Sequence, residues 1–276
     1  MSTDRVRWDS GDYARNSQAQ RGWGQELIQK LELRGEESVL DIGCGDGRLT
    51  SELAARVPRG EVVGVDSSPD MVERARGEFP EHRNPNLHFE VMDARFLSFP
   101  SRFDVAFSNA ALHWVKDAPA VLRGVSRALR PAGRLLFQMG GRGNAARIMA
   151  VAEEIMRGSD WRQWFEGFES PWGFWGPEEY RPWCERAGLS VGRIELVSKD
   201  MATAGGPGLV AWLRTTWMPY TARLPESRRA AFLQEIAEAY AREFPANQRG
   251  ELVVPMVRLE VEAMKVSGPG PAADGG

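Results

Sequence analysis

VLDIGCGDGR, residues Val39–Arg48, joins a short apolar run to a helical pattern through a turn carrying Gly43, Gly45 and Gly47. Val39–Ile42 has the length and side chains of a buried strand, and from Arg48 apolar residues recur at helical spacing. Glycines let the backbone between them turn sharply and approach a ligand closely, and the helix start presents N–H groups.

The same alternation continues outward from this unit. Ser38–Ile42, Glu61–Asp66, Leu87–Met92, Phe103–Ser108 and Arg134–Met139 are predicted strands; Arg48–Val57, Pro69–Phe79 and Asp117–Leu129 are predicted helices. Ser68 can cap the second helix with Pro69 in its first turn, and the run Arg130–Gly133 (RPAG) stops the third. Strand–helix repetition of this kind predicts an α/β fold, a parallel sheet covered by helices on both faces. Outside it, Asn16–Leu33, Ala145–Arg157, Pro177–Ala187, Gly208–Thr216 and Pro225–Phe244 read as helices, and Ser190–Val197 as a sixth strand. Leu252–Val266 alternates as a last strand with Pro255 at a bulge or edge, and the tail SGPGPAADGG is expected to be disordered.

The chain has 276 residues and a net charge of −3, mixed in sign along its length, so no basic stripe points to nucleic acid. Two cysteines, Cys44 and Cys184, make neither a disulfide framework nor a four-thiolate centre, and no metal site is expected. No apolar run reaches the ~20 residues of a membrane span. The polar start MSTDRVRWDSGDY does not read as a signal peptide, so the expected location is the cytoplasm. Ten tryptophans against four tyrosines is the one oddity: most lie after residue 160, and only Trp114 falls inside the predicted core.

Two acids strengthen the glycine turn. Asp66 ends the second strand, about 20 residues on, where a carboxylate can take ribose hydroxyls, and Asp93 follows the third, where a side chain can meet an adenine edge. With Asp41 ahead of the glycines, the pattern DxGxGxG, then VxGxD, then an acid after the third strand resembles the class I S-adenosylmethionine-dependent methyltransferases over about Val39–Met139. The GxGxG spacing is less like the dinucleotide GxGxxG, which disfavours a nicotinamide-dependent oxidoreductase.

The resemblance implies a Rossmann-like seven-stranded sheet, mostly parallel with an antiparallel last strand, carrying helical cap insertions. It implies S-adenosylmethionine as cofactor. The backbone of Gly43, Cys44 and Gly45 after Asp41 would meet the methionine part, Asp66 the ribose diol, Ser67 and Met71 the adenine faces, and Asp93 with Ala94 the adenine amino group. Met71 reads equally well as a filler on its helix, and the Cys44 thiol reads as packing, since nothing nearby in sequence would activate it. Asn109 would contact the cofactor from the fourth strand.

Tyr13–Gln20 (YARNSQAQ) and Ser108–Val115 (SNAALHWV) narrow the acceptor. Both resemble the carboxylic-acid methyltransferases, of the salicylic acid and juvenile hormone acid types. Tyr13, Ala14, Asn16, Ser17 and Gln20 match one segment and Leu112, His113 and Trp114 the other, with alanine replacing a serine ahead of Leu112. Trans-aconitate methyltransferases are similar across the core and the second segment. The resemblance places Tyr13 and Ser17 over the cofactor and gives Gln20 and Trp114 the acceptor carboxylate. That chemistry is coherent: a carboxylate of pKa ~4 is already ionised, so it needs neutral donors to align it rather than a base. The Gln20 amide and Trp114 indole are such donors. His113, beside them, reads as a polar loop residue bonded to backbone rather than a base.

The expected organisation is an N-terminal helical lid (1–35), a cofactor core (36–141), an aromatic-rich helical insertion (142–188), a core strand (189–198), a helical cap (199–250), the last strand (251–266) and a tail (267–276). The expected activity is methyl-ester formation on a small carboxylic acid, with a different oxygen, nitrogen or carbon acceptor as the alternative and a non-catalytic binding protein behind it. The aromatic segment Trp161–Trp183 favours an apolar mono-acid over a small polyacid, although Arg142, Arg147 and Arg162 nearby could serve a second carboxylate.

Overall fold

The computed structural model describes residues 18–266. The contacts expected of Tyr13 and Ser17, and the disorder expected of 267–276, lie outside them; of Gln20 only the backbone position is described.

The chain runs α1 (Gln18–Gln29), β1 (Ser38–Ile42), α2 (Arg48–Arg56), β2 (Glu61–Asp66), α3 (Pro69–Glu78), β3 (Leu87–Val91), β4 (Phe103–Asn109), α4 (Ala118–Ala128) and β5 (Leu129–Gly140). It continues through α5 (Ala146–Arg157), α6 (Arg162–Phe165), α7 (Pro177–Arg186), β6 (Leu189–Thr203), α8 (Gly205–Thr216), α9 (Met218–Thr221), α10 (Glu226–Glu243) and β7 (Leu252–Lys265). The seven strands form one sheet in the order β3-β2-β1-β4-β5-β7-β6. β1 pairs in parallel with β2 and β4, β2 with β3 and β4 with β5, whereas β7 lies antiparallel to β5.

Alternation along the strands feeds two cores. Leu40, Ile42, Val63, Val65 and Phe137 pack with Val121, Leu122 and Val125 of α4. Val39, Val62, Val105, Phe107 and Leu136 pack on the other face with Leu27 and Ile28 of α1. Full burial of those last two side chains stabilises the docking of α1 by roughly 1.5–3 kcal/mol each.

The helix ahead of Arg130–Gly133 stops at Ala128, in line with the stop signal there, but the fifth strand begins earlier than expected. RPAG does not separate α4 from the fifth strand, because β5 already begins at Leu129. The register jumps from Phe103↔Leu129 to Val105↔Arg134, so these residues form a bulge within the strand, with Ala132 at φ 61°. Pro255 sits in β7, which is not an edge strand, but its stretch lies beyond the part paired with β5, Arg258–Met264.

The chain divides into two compact units, and the aromatic segment is split between them. One contains Gly143–Pro171 and Ser198–Val257; the other contains Gln20–Arg142, Trp172–Val197 and the end of β7 from Arg258. In the first, Trp161 and Phe165 pack on Phe232 of α10, and Phe168 on Tyr220, as an internal core. Among the described residues no helix is long and apolar enough to cross a membrane.

Candidate active site

Parallel strands bring the loops after β1, β2, β3 and β4 to one edge of the sheet, where ligand crevices form in such folds. The turn after β1 is anchored by the N–H groups of Gly43 and Cys44, which donate to Val65 O at 2.8 and 3.0 Å. Gly43 has φ 77°, and a Cβ there would lie 2.2 Å from the Ala111 Cβ, so only glycine lets this turn meet the loop after β4. At Gly45, φ 55°, a Cβ would meet none of the described residues within 4 Å, so the apex of the turn leaves room for a ligand.

Two acids lie beneath the turn. Asp66 accepts from Gly45 N–H at 3.0 Å and Ser68 N–H at 2.9 Å, tying the first two loops together. Burial raises its pKa against the pull of the Ser68, Gly45 and Ser67 amides. Asp41, 2% exposed, accepts from Thr50 Oγ1 at 2.7 Å. Burial pushes its pKa up to about 7; the Thr50 bond opposes the rise and the Asp66 charge adds to it. The Cys44 thiol is buried, and burial with the charges of Asp41 and Asp66 holds it well above the ordinary thiol value. It is inert packing, within contact reach of the Gly64 position.

The raised Asp41 pKa fixes the sign of a stability profile. Between the unfolded value of 3.8 and about 7 the folded chain holds a proton that the unfolded chain has lost, so stability falls as pH rises through that window. At about 1.36 kcal/mol per unit the loss is at most about 4 kcal/mol. Urea unfolding of Asp41→Asn at about pH 5 and pH 8 should show a smaller pH difference than the parent chain. Equal differences in the two proteins would show that Asp41 does not carry a raised pKa.

The other expected contacts divide. Ser67 is exposed at the crevice, whereas Met71 is 4% exposed and its N–H is capped by Ser68 Oγ at 3.3 Å. Asp93 caps the turn Ala94–Phe96 and pairs with Arg95, whose guanidinium lowers the Asp93 pKa. After Asn109 the chain passes through Ala110 at φ 55°, an uncommon conformation for a residue with a side chain, next to the Gly43 contact. Gly24 of α1 leaves so little room that a Cβ would lie 2.8 Å from Asn109 Nδ2 and 2.4 Å from Leu49 Cδ1. The helix carrying Gln20 thus runs against the end of β4.

The Leu112–Trp114 turn builds an aromatic corner. His113 lies 5.4 Å from Trp114 and 5.9 Å from Phe174, Trp172 meets Trp114 edge-on at 5.7 Å, and Trp172 stacks on Phe174. Gly140 N–H donates to His113 Nδ1 at 3.4 Å. Burial, reinforced by the Arg258 charge, lowers the His113 pKa well below its usual value. That direction favours the neutral imidazole, and with Nδ1 accepting from Gly140 the hydrogen-bond pattern assigns its proton to Nε2.

Of the three arginines singled out from sequence, two are engaged by other groups and one is exposed. Arg142 pairs with Glu178 and Glu179, Arg147 lies 5.0 Å over the Phe244 ring, and Arg162 is an exposed residue on a cleft of about 710 Å³ with Phe165, Phe168 and Tyr220. The arginine that sequence reasoning missed is Arg258, 3% exposed. Strand alternation in VRLEVE assigns Arg258 and Glu260 to a solvent face, but β7 is an inner strand and α1 covers that face. Among the described residues no group of three His, Cys, Asp or Glu is placed to hold a metal ion.

Known proteins resemble this chain in sequence and in fold. The family model described as a methyltransferase domain matches residues 39–133, which span the glycine turn, both acids and the aromatic turn. An uncharacterised methyltransferase of Schizosaccharomyces pombe is 35% identical over 70% of this chain and 74% of its own length. A trans-aconitate 2-methyltransferase of Deinococcus radiodurans is 30% identical over 87% of this chain and 93% of its own. Among solved structures, the YcgJ protein of Bacillus subtilis shares the fold with a TM-score of 0.63 and 20% identity, over 90% of this chain and all of its own. Extended likeness on both sides of the glycine turn, on a sheet of this order, means that the chain belongs to the class I S-adenosylmethionine-dependent methyltransferases, with a core of the trans-aconitate methyltransferase type.

Proposed function

We propose that this methyltransferase esterifies a small carboxylic acid, moving the methyl group of S-adenosylmethionine onto a carboxylate oxygen. The observation that carries the reading is that His113 Nδ1, beside Trp114, already accepts from Gly140 N–H, so that nitrogen is not open to take a proton from an acceptor. Such a corner suits an acceptor that has no proton to lose.

The cofactor fits the residues present. Its methionine end carries an ammonium and a sulfonium beside a carboxylate, and the turn with the Gly45 apex offers backbone N–H groups above the Asp66 carboxylate. In this reading Gly43, Cys44 and Gly45 hold the methionine part through backbone, Asp66 the ribose diol, Ser67 and Met71 the adenine faces, Asp93 and Ala94 the adenine edge, and Asn109, Tyr13 and Ser17 its remaining contacts. Bound, it supplies a methyl carbon made electrophilic by the sulfonium.

The protein's task is then alignment. Gln20 and Trp114 each donate one N–H to the acceptor carboxylate, fixing one oxygen on the line of transfer, and neither competes as a nucleophile. With the cofactor bound, these donors would hold the acceptor oxygen toward the methyl group it supplies, and no residue of the corner would need to take a proton. The aromatic corner of Trp114, Trp172 and Phe174 suits a flat or apolar acceptor body.

A labelled-methyl assay over aliphatic, aromatic and polycarboxylic acids tests the reading. Methyl esters release labelled methanol in mild alkali, so the expected result is alkali-labile label on at least one acid. Label that survives alkali would move the acceptor to a hydroxyl, amine or carbon and overturn the ester assignment.

A further inference from the structure

We propose that Arg95 is a positioning residue for the cofactor: by gripping Asp93 it fixes the acceptor that meets the purine 6-position, and so sets how strongly this site prefers an amino-purine to an oxo-purine. This rests on the reading above in which Asp93 takes the adenine amino group, and deepens it.

The short run Asp93–Phe96 (DARF) builds the grip locally. Asp93 follows β3 and caps the turn Ala94–Phe96, its Oδ1 accepting from Arg95 N–H at 2.9 Å. The Arg95 side chain then folds back on the same carboxylate. Its Nε lies 3.0 Å from Oδ1 and 3.1 Å from Oδ2, and its Nη2 lies 2.5 Å from Oδ2. Among the described residues, every donor to Asp93 comes from this one arginine. The guanidinium is itself steadied by the ring of Phe96, 5.3 Å from its centroid, a side chain that is 70% exposed.

The grip leaves one direction open. An ionised carboxylate accepts at about four sites on its two oxygens. The backbone N–H and Nε of Arg95 occupy Oδ1, and Nη2 occupies one side of Oδ2. The Asp93 side chain is 31% exposed, so the other side of Oδ2 can receive a donor from outside the protein. Stability offers no competing reason for the pair, because exposed ion pairs contribute little to folding.

A fixed acceptor discriminates where a mobile one does not. The 6-amino group of adenine donates an N–H to it. A 6-oxo group sets a lone pair against the carboxylate and leaves it unpaired. The oxo-purine also carries a proton on N1, so a carboxylate free to change rotamer would turn toward that proton and recover a bond. The planar fork of an arginine, bonded to both oxygens, opposes that turn. It also orders the carboxylate before the cofactor arrives, which lowers the cost of binding the amino-purine.

The test is calorimetric titration with S-adenosylhomocysteine and S-inosylhomocysteine, whose purines carry the amino and the oxo group. The parent protein should bind the adenosyl compound about 30-fold or more tightly than the inosyl one. Arg95→Met should lower that ratio to under about 5-fold, by weakening the adenosyl compound and relieving the inosyl one. Arg95→Gln, which keeps a polar side chain at this half-exposed position without the charged fork, should do the same, and Arg95→Lys should fall between. Equal loss of both ligands in the arginine variants would mark the residue as structural and overturn the proposal. Asp93→Ala separates the two layers of the reading and should abolish the preference. A preference lost in Asp93→Ala but kept in Arg95→Met would overturn the role of Arg95 and leave Asp93 at the adenine edge. A preference unchanged in Asp93→Ala, or a parent protein without one, would place the purine edge elsewhere and remove both.

Discussion

Asp66→Ala should weaken S-adenosylmethionine binding by about 100-fold or more, as read by calorimetry. Two hydroxyls on one carboxylate are charge-assisted hydrogen bonds of roughly 1.5–3 kcal/mol each, and 1.4 kcal/mol is tenfold in affinity. The same substitution removes the acceptor for Gly45 N–H and Ser68 N–H, so the glycine turn and the loop after β2 lose their mutual tie. Asp66→Asn keeps the size and a carbonyl acceptor and should fall between. Affinity within about threefold of the parent in Asp66→Ala would place the ribose elsewhere.

The second large effect belongs to the acceptor. Gln20→Ala with Trp114→Phe should lower kcat/KM for the acid by roughly 10²–10³, while cofactor affinity stays near that of the parent. Trp114→Phe keeps an aromatic ring beside Trp172 and His113 while removing the indole N–H together with part of the bicycle, a smaller loss of packing than alanine would cause. Removing two donors that fix one oxygen costs alignment, which is worth orders of magnitude in rate when the reacting atoms are misplaced by an ångström. Collapse of cofactor binding in the double variant would mean that these residues serve the donor side instead.

What the amino-acid sequence discloses by itself depends on how local each signal is. The glycine turn is legible because strand, turn and helix are contiguous, and the two acids fall at strand ends by spacing alone. The Asp41–Thr50 bond is not: Thr50 reads as an ordinary helix position, and only the return of α2 over β1 sets its hydroxyl on the carboxylate. Arg258 is hidden by a sound rule applied to the wrong environment. Alternation in VRLEVE separates two faces correctly, but whether the polar face meets water depends on α1, more than 200 residues away in sequence. The aromatic crowd is ambiguous for the same reason. Trp161 and Phe165 go to an internal core and Trp172 and Phe174 to the His113 corner, although one short segment supplies both.

The strand order has a consequence for how the chain comes to be folded. β7 is the last strand in sequence, yet it lies between β5 and β6 in the sheet. As a nascent chain leaves the ribosome, β1 to β5 can pair as they emerge, but β6 appears with no neighbour to join. The sheet waits for residues 252–265, and those residues deliver Arg258 and Glu260 to their buried places in the same event. The buried charges are therefore placed only once β7 has emerged, and the exposed edge of β5 is the surface most in need of protection until then.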